Sequence, residues 1–423
     1  MQILVSAGEA SGEMYGAQLI SALRRLDPSL DFFGVGGEKM RAAGCDTVVD
    51  AKDLSVVGIT EILSHLAKIW KLFHKLIADA DRRKPDVAIV IDSPAFNWRV
   101  ARQMKKRGVP VCYYVCPQFW AWRQGRVRLL RKYVDKALVI FPFEEKFYRD
   151  RGVDAEFVGH PLVELPRPAV MREKYAAKHQ LDPAKHWITL MPGSRMKEVR
   201  MNLPGMLESA QFLGAAYEFV LPVAATLDQS FVEHLVHSRE GTAFSRAVTD
   251  QDKTSGTTES RALPNTIRDR VHLVPEALPA LAHSRAGIIA SGTATVEAAM
   301  METPFVMVYR VSPLTYFLGR STIKVPHFAM VNLIAGKRVV PELVQQDFTP
   351  QKVAAEVARI VPDGADRRTM LVGLRNVRSQ LRGGREEEMH PADRAARAVL
   401  GLVRLPSGEA AASYSKNVAT PLR

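Results

Sequence analysis

The sequence predicts an α/β chain built from two Rossmann-like halves, and three observations carry that prediction. Short β-branched runs alternate with helical patterns, which is how parallel sheets wrapped by helices read in sequence. The alternation breaks at a Pro-rich stretch, Glu164 to Pro168, and then begins again. In both series glycine-bearing segments join strand directly to helix, at the strand ends where open α/β sheets bind ligands. With 423 residues and 47% hydrophobic content, the chain is long enough for sizeable cores in two or three domains.

The first apolar strand, Ile3, Leu4 and Val5, runs through Gly8-Glu9-Ala10-Ser11-Gly12-Glu13 into a helix. An acid, a hydroxyl and two glycines at a strand's carboxyl end read as a binding loop. No Gly-Lys-Ser/Thr follows and the G-x-G-x-x-G spacing is absent, so it is neither a P-loop nor a dinucleotide fingerprint. An ordinary turn with Ser11 as helix cap fits the same residues. Further strands are expected at Asp31 to Val35, Asp86 to Asp92, Val109 to Val115, Lys136 to Phe141 and Ala155 to Val158.

Between these strands, a helix from Gly58 to Asp79 places Ile59, Ile62, Leu63, Leu66, Ile69, Trp70, Phe73 and Ile77 on one face and Lys68, Lys71 and Lys75 opposite. Such a face either packs on a core or dips into an anionic membrane interface. Asp92 ends a buried strand, and Pro94 forces the chain to turn at once. A partly desolvated carboxylate there suits a general base, worth ~10²–10⁴-fold, or else a turn cap. From Trp120-Ala121-Trp122-Arg123 to Lys132 there are five basic residues and no acid, a stretch suited to phosphates of a substrate, a lipid headgroup or RNA. His160, beside Pro161, reads as structural.

The second series has strands at His186 to Met191, Glu218 to Val223, Val271 to Val274, Ala286 to Ala290 and Pro304 to Arg310. Pro192-Gly193-Ser194-Arg195 follows the first of these and precedes a helix, so backbone amides and a guanidinium converge where a diphosphate could sit. Ser291-Gly292-Thr293 opens a helix that carries Glu297, placed to take ribose hydroxyls. Capping by Ser291 and Thr293, with Glu297 a solvated first-turn acid, is the plainer alternative. Between Ser238 and Arg270 lies a polar insertion expected to be a mobile surface loop, and the small, polar end from Leu405 is expected to be disordered. The expected division is 1–165, 166–350 with the insertion at 238–270, helices over 351–404 and a tail at 405–423.

The formal charge of +13 favours an anionic partner: nucleic acid, an anionic membrane or a phosphorylated substrate. No charge-free apolar run reaches the roughly 18 residues of a membrane span, and Met1-Gln2 leads straight into a strand without signal-peptide architecture, which points to the cytoplasm. Three cysteines, Cys45, Cys112 and Cys116, suggest buried thiols rather than a disulfide framework or a metal knuckle.

Taken in order, GEASGE at the start, VGITEIL at 57–63, IDSPAFN at 91–97, CPQFWAWRQGRV at 116–127, FPFE at 141–144, VGHPL at 158–162, MPGSR at 191–195, ASGTATVE at 290–297 and VNLIAGK at 331–337 closely resemble the lipid-A-disaccharide synthases. The resemblance runs to about residue 400. The chain departs from its relatives in the 238–270 insertion, in the tail after 405, and at Glu13 and Ala95.

The resemblance implies a GT-B fold, two Rossmann-like domains facing across a cleft. It implies an inverting glycosyltransferase that joins UDP-2,3-diacylglucosamine to 2,3-diacylglucosamine 1-phosphate, giving the β-1,6-linked disaccharide 1-phosphate and UDP. The acceptor then belongs to the first domain, with Glu9, Ser11 and the base Asp92. The donor belongs to the second, with Gly193, Ser194, Arg195, Ser291, Gly292, Thr293, Glu297, Arg310 and Asn332. Neither a metal nor any other cofactor is expected. Because both substrates carry acyl chains, the resemblance favours Leu63, Leu66, Ile69 and Trp70 as a membrane face, and Trp120, Trp122 and Arg123 as a headgroup grip. It implies a peripheral protein of the anionic inner membrane, a homodimer with exchanged C-terminal segments, and no nucleic-acid partner. The competing classes are another sugar-nucleotide enzyme of the same architecture, such as an epimerase or a muramyl-pathway transferase, and a non-enzymatic membrane- or RNA-binding protein.

Overall fold

The computed structural model describes residues 1–54, 62–164, 167–224, 226–237, 265–312, 325–383 and 389–404. Most of the 238–270 insertion and the tail from 405 lie outside them. The chain forms two compact units, Met1–Pro161 with Leu381–Arg423, and Leu162–Gln380.

The first unit is a seven-stranded parallel sheet: β1 (Gln2–Ala7), β2 (Asp31–Gly36), β3 (Cys45–Asp50), β4 (Val87–Ile91), β5 (Val111–Tyr114), β6 (Lys136–Val139) and β7 (Ala155–Phe157), in the order β3-β2-β1-β4-β5-β6-β7. Its helices are α1 (Ala10–Leu26), α2 (Glu38–Ala42), α3 (Ile62–Arg83), α4 (Pro94–Lys106), α5 (Val127–Tyr133) and α6 (Pro142–Arg149). All five residues of β4 are apolar and buried, as a central parallel strand covered on both faces requires. Pro94 opens α4 in the first turn, where its missing N–H costs no intrahelical hydrogen bond.

The second unit has a six-stranded parallel sheet: β8 (His186–Met191), β9 (Tyr217–Pro222), β10 (Val271–Val274), β11 (Ala286–Ala290), β12 (Phe305–Tyr309) and β13 (Glu342–Val344), in the order β10-β9-β8-β11-β12-β13. Its helices are α7 (Arg172–His179), α8 (Met196–Phe212), α9 (Gln229–His237), α10 (Asn265–Arg268), α11 (Ala277–His283), α12 (Thr293–Met301), α13 (Met330–Ala335) and α14 (Pro350–Ile360). The long helix α15 (Ala365–Arg382) then leads toward α16 (Pro391–Arg404), which packs on α1 within the first unit. Small buried residues of α16, Ala392, Ala395 and Ala396, allow close packing, and Arg25 pairs with Asp393 at 2.6 Å.

Candidate active site

Each sheet has one point where the chain leaves neighbouring strands in opposite directions, the place where open α/β sheets bind ligands. In the first unit that point lies between β1 and β4, whose last registered pair is Ala7 with Ile91. Gly8-Glu9 and Asp92-Ser93 therefore emerge side by side. A Cβ on Gly8 would lie 2.7 Å from the Ser93 hydroxyl oxygen and 3.1 Å from its Cβ, so the first loop can pack on the second only with glycine there.

Glu9, not Ser11, is the cap residue of α1: it is exposed and extended, and its carbonyl accepts the Glu13 N–H at 2.8 Å. Ser11 is half-buried within the first turn, so the turn-with-Ser11-cap alternative does not describe this loop. Glu13 has a separate task. Its Oε1 accepts the Lys39 N–H at 2.7 Å near the start of α2.

Strain collects at this sheet edge. Asp92 and Ser93 both have left-handed backbone, φ 47° and 43°, and Val115, just past β5, has φ 57°. Non-glycine residues in that region cost about 1–3 kcal/mol each, most for a β-branched one, and persist only where the surroundings impose them. Here Asp92 donates its N–H to Tyr114 O at 3.2 Å, while its carbonyl accepts from Asn97 Nδ2 and from the Tyr113 hydroxyl, both at 2.8 Å. Asp92 itself is half-buried.

The 116–127 stretch divides into a buried root and an exposed tip. Trp120 is buried and donates Nε1–H to Glu144 Oε1 at 2.8 Å, while Glu144 Oε2 accepts the Phe141 and Ile140 N–H groups at 3.0 and 3.2 Å. Burial pushes the Glu144 carboxyl up to about 7, against the lowering effect of those three donors. The Tyr148 hydroxyl also donates to Pro117 O. The expectation that Trp120 grips a headgroup is therefore corrected: it anchors the loop to α6. Trp122 is 46% exposed, with the Arg123 guanidinium 4.3 Å over its ring.

On α3, Ile69 packs against the first unit's core with Leu72 and Phe73, which corrects its assignment to a membrane face. Trp70 is 66% exposed and lies against His74. The side chains of Leu63 and Leu66 lie outside the described residues. His160 is 1% exposed beside Tyr15 and Phe141, and burial lowers it to about 3, which keeps the imidazole neutral and structural. Cys45, Cys112 and Cys116 are buried free thiols, and burial raises all three.

In the second unit the corresponding point lies between β8 and β11, and it carries the other two loops. Arg195 caps α8 and is exposed; its Nη1 meets Glu198 Oε1 at 3.0 Å, and Glu198 Oε2 accepts the Ser194 N–H at 3.2 Å. Gly193 (φ 124°) leaves space for that carboxylate, since a Cβ there would come within 2.4 Å of Oε2. Ser291 Oγ donates to Phe328 O at 2.8 Å, so it holds a neighbouring loop rather than capping α12. Gly292, with φ 137°, is the cap residue and has open space around it; Thr293 is exposed. Glu297 is half-buried on α12, and burial raises its carboxyl.

Two expected donor residues are committed to the protein itself. Asn332 is fully buried: Nδ2 donates to Val340 O and Glu342 Oε1, and Oδ1 accepts the Val339 and Val340 N–H groups, which exhausts the amide's capacity. It fixes the 339–342 segment, which corrects its placement in the donor pocket. Arg310 is half-buried over the Phe348 ring at 4.8 Å and donates to Phe348 O. Its N–H bonds Asn202 Oδ1 at 2.9 Å, and Asn202 Nδ2 reaches Pro192 O at 3.1 Å, so Asn202 ties the end of β12 to the Pro192 loop.

Asn97, Tyr113, Glu144, Glu198 and Asn202 were missed by sequence reasoning. Asn97 and Glu144 sit inside motifs quoted above, IDSPAFN and FPFE, but nothing in their spacing reveals a buried partner. Among the described residues no group of three or more His, Cys, Asp or Glu is placed to hold a metal ion, and no helix is long and apolar enough to cross a membrane.

The family model for lipid-A-disaccharide synthetase matches residues 3–396. A lipid-A-disaccharide synthase of Koribacter versatilis is 51% identical over 405 residues, covering 96% of this chain and 99% of the relative. One of Myxococcus xanthus is 44% identical, covering 96% and 98%. Among solved structures, a UDP-GlcNAc 2-epimerase from Neisseria meningitidis bound to UDP-GlcNAc has a TM-score of 0.57 at 12% identity, covering 95% of this chain and 99% of that one. The calicheamicin glycosyltransferase has a TM-score of 0.55 at 16% identity, covering 96% and 99%. At such identities these structures speak to the fold alone.

Proposed function

The chain belongs to the lipid-A-disaccharide synthetase family, and from that premise we propose how its two switch-point loop pairs divide the reaction. It is a glycosyltransferase of lipid A biosynthesis that forms the lipid A disaccharide from a UDP-sugar donor and a sugar-phosphate acceptor. The donor is UDP-2,3-diacylglucosamine and the acceptor 2,3-diacylglucosamine 1-phosphate. Asp92 accepts the proton of the acceptor's 6-hydroxyl as that oxygen attacks the anomeric carbon from the face opposite the diphosphate. The bond from the anomeric carbon to the phosphate oxygen breaks, its electron pair leaves with UDP, and the configuration inverts to β. Glu9, in the loop that emerges beside Asp92, and Ser11 contact the acceptor.

Arg195, the amides of Gly193 and Ser194, and the start of α12 at Ser291-Gly292-Thr293 stabilise the departing diphosphate with oriented charge. Glu297 takes the ribose hydroxyls. Arg310, whose Nη2 is held by Phe348 O, acts through the field of its guanidinium.

The observation that carries this reading is the strained Asp92 beside Glu9 at the first unit's switch point. Asp92→Asn is expected to cut disaccharide formation about 10²-fold or more, while UDP affinity stays within twofold. Near-normal turnover would remove Asp92 as base and leave Glu9 as the next carboxylate to test. Product formation unaffected by a metal chelator supports the oriented-charge account; loss with chelator, restored by a divalent cation, overturns it.

Exposed Trp70 and Trp122, with the basic residues around Arg123, form the membrane-facing surface of a peripheral inner-membrane enzyme. Unchanged partitioning of Trp70→Ser and Trp122→Ser onto anionic vesicles would refute that surface. The homodimer with exchanged C-terminal segments places a partner's α16 on α1, and a monomeric sedimentation profile at assay concentration would exclude it.

A further inference from the structure

Asp92 cannot hold its backbone conformation unaided, because a left-handed aspartate followed by a left-handed serine is disfavoured twice over. What holds it is a set of wholly buried polar side chains from three different elements. Asn97, on the first turns of α4, donates Nδ2 to Asp92 O at 2.8 Å, to Ile91 O at 2.9 Å and, more weakly, to Ser6 O at 3.2 Å. Ser6, on β1, donates its hydroxyl to Asn97 Oδ1 at 2.7 Å. Tyr113, on β5, donates its hydroxyl to the same Asp92 carbonyl at 2.8 Å. Ser6, Asn97 and Tyr113 are all 0% exposed, so none of them can touch a substrate.

We propose that Asn97 and Tyr113, with Ser6 behind Asn97, are positioning residues of the glycosyl transfer, which act by clamping the Asp92 peptide so that its carboxylate is presented in one fixed direction. The inference rests on Asp92 as the base. Both donors converge on a single carbonyl, that of the residue whose side chain takes the proton, while the Asp92 N–H is held by Tyr114 O on the other side. The peptide groups on both sides of the Asp92 Cα are therefore held, so neither its φ nor its ψ turns freely. Proton transfer is sensitive to misplacement of the base, and a shift of about 1 Å can cost 10²-fold.

The test is a double-mutant cycle between Tyr113→Phe and Asp92→Asn, read in turnover and in unfolding temperature. Tyr113→Phe removes one donor and keeps the ring against Trp98, 5.4 Å between centroids. It is expected to lower kcat about tenfold, equivalent to about 1.4 kcal/mol, with both KM values within twofold. In the Asp92→Asn background the same change is expected to have no further effect on the residual kcat, while the unfolding temperature falls equally in both backgrounds. A purely structural role would move only the temperature. Ser6→Ala, which removes the hydroxyl donor behind Asn97, is a second variant expected to repeat the pattern at smaller size. Unchanged kcat in Tyr113→Phe, or the same fold-loss in both backgrounds, overturns the proposal. Wild-type turnover in Asp92→Asn alone overturns instead the reading of Asp92 as base.

Discussion

Replacing Gly8 by alanine probes the contact that brings the two acidic loops together. An alanine Cβ would sit 2.7 Å from Ser93 Oγ and 3.1 Å from Ser93 Cβ, where carbon contacts ordinarily begin near 3.4 Å. Oγ can rotate away, but Ser93 Cβ must retreat by a few tenths of an ångström. Its backbone is pinned between left-handed Asp92 and Pro94 and can give little. Overpacking of this kind costs about 1–3 kcal/mol. For a unit of this size each kcal/mol lowers the unfolding temperature by about 2–4 °C.

Because the displaced residue adjoins Asp92, kcat is expected to fall more than the stability loss alone would cause. Gly8→Ala with Ser93→Gly vacates the contested space and puts glycine where φ is positive, so the pair is expected to recover the temperature and most of kcat. Scanning calorimetry and initial-rate assays on the two single variants and the pair supply the measurement. A Gly8→Ala protein with wild-type temperature and turnover would refute the close packing of these loops.

Other outcomes follow from the same geometry. Burial pushes the Glu144 carboxyl up to about 7 in the folded protein from an ordinary value of 4.5, so its protonated form favours the folded state. That contribution is full below about pH 4.5 and lost as pH rises through 7, and Glu144→Gln is expected to flatten this part of the stability–pH curve; an identical curve would count against it. Trp120→Phe, which leaves buried Glu144 short of a donor, should cost about 1–3 kcal/mol of stability, whereas exposed Trp122→Ala should stay within about 0.5 kcal/mol, both measured by denaturant titration. Asn332→Ala leaves the Val339 and Val340 N–H groups unpaired and should lower the unfolding temperature while UDP affinity changes less than threefold. A large selective loss of UDP binding would return Asn332 to the donor pocket.

The sequence by itself determined that the chain is α/β with two parallel sheets, because buried parallel strands such as Val87–Ile91 are short, β-branched apolar runs that alternate with longer helical patterns. It also located the strand-to-helix loops, since glycine and proline restrict the backbone locally and show this in order. Of the four edge strands, β7 and β10 were legible and β3 and β13 escaped it. Neither β3, whose Val48-Val49 pair is flanked by Asp46, Thr47 and Asp50, nor three-residue β13 carries enough local pattern to be distinguished from a turn.

What only the tertiary structure decided is which polar and aromatic side chains face ligand and which face protein. Trp120 and Trp122 look alike in sequence, yet one is buried on Glu144 and the other is 46% exposed, because their surroundings come from a helix more than twenty residues away. Ile69 and Trp70 are neighbours on one apolar stripe, and only the first packs on the core. Asn97 and Asn332 are spent on carbonyls and amides brought to them by other segments of the chain. Local propensity acts through adjacent residues, whereas the partner of a buried polar atom is chosen by the packing of distant ones.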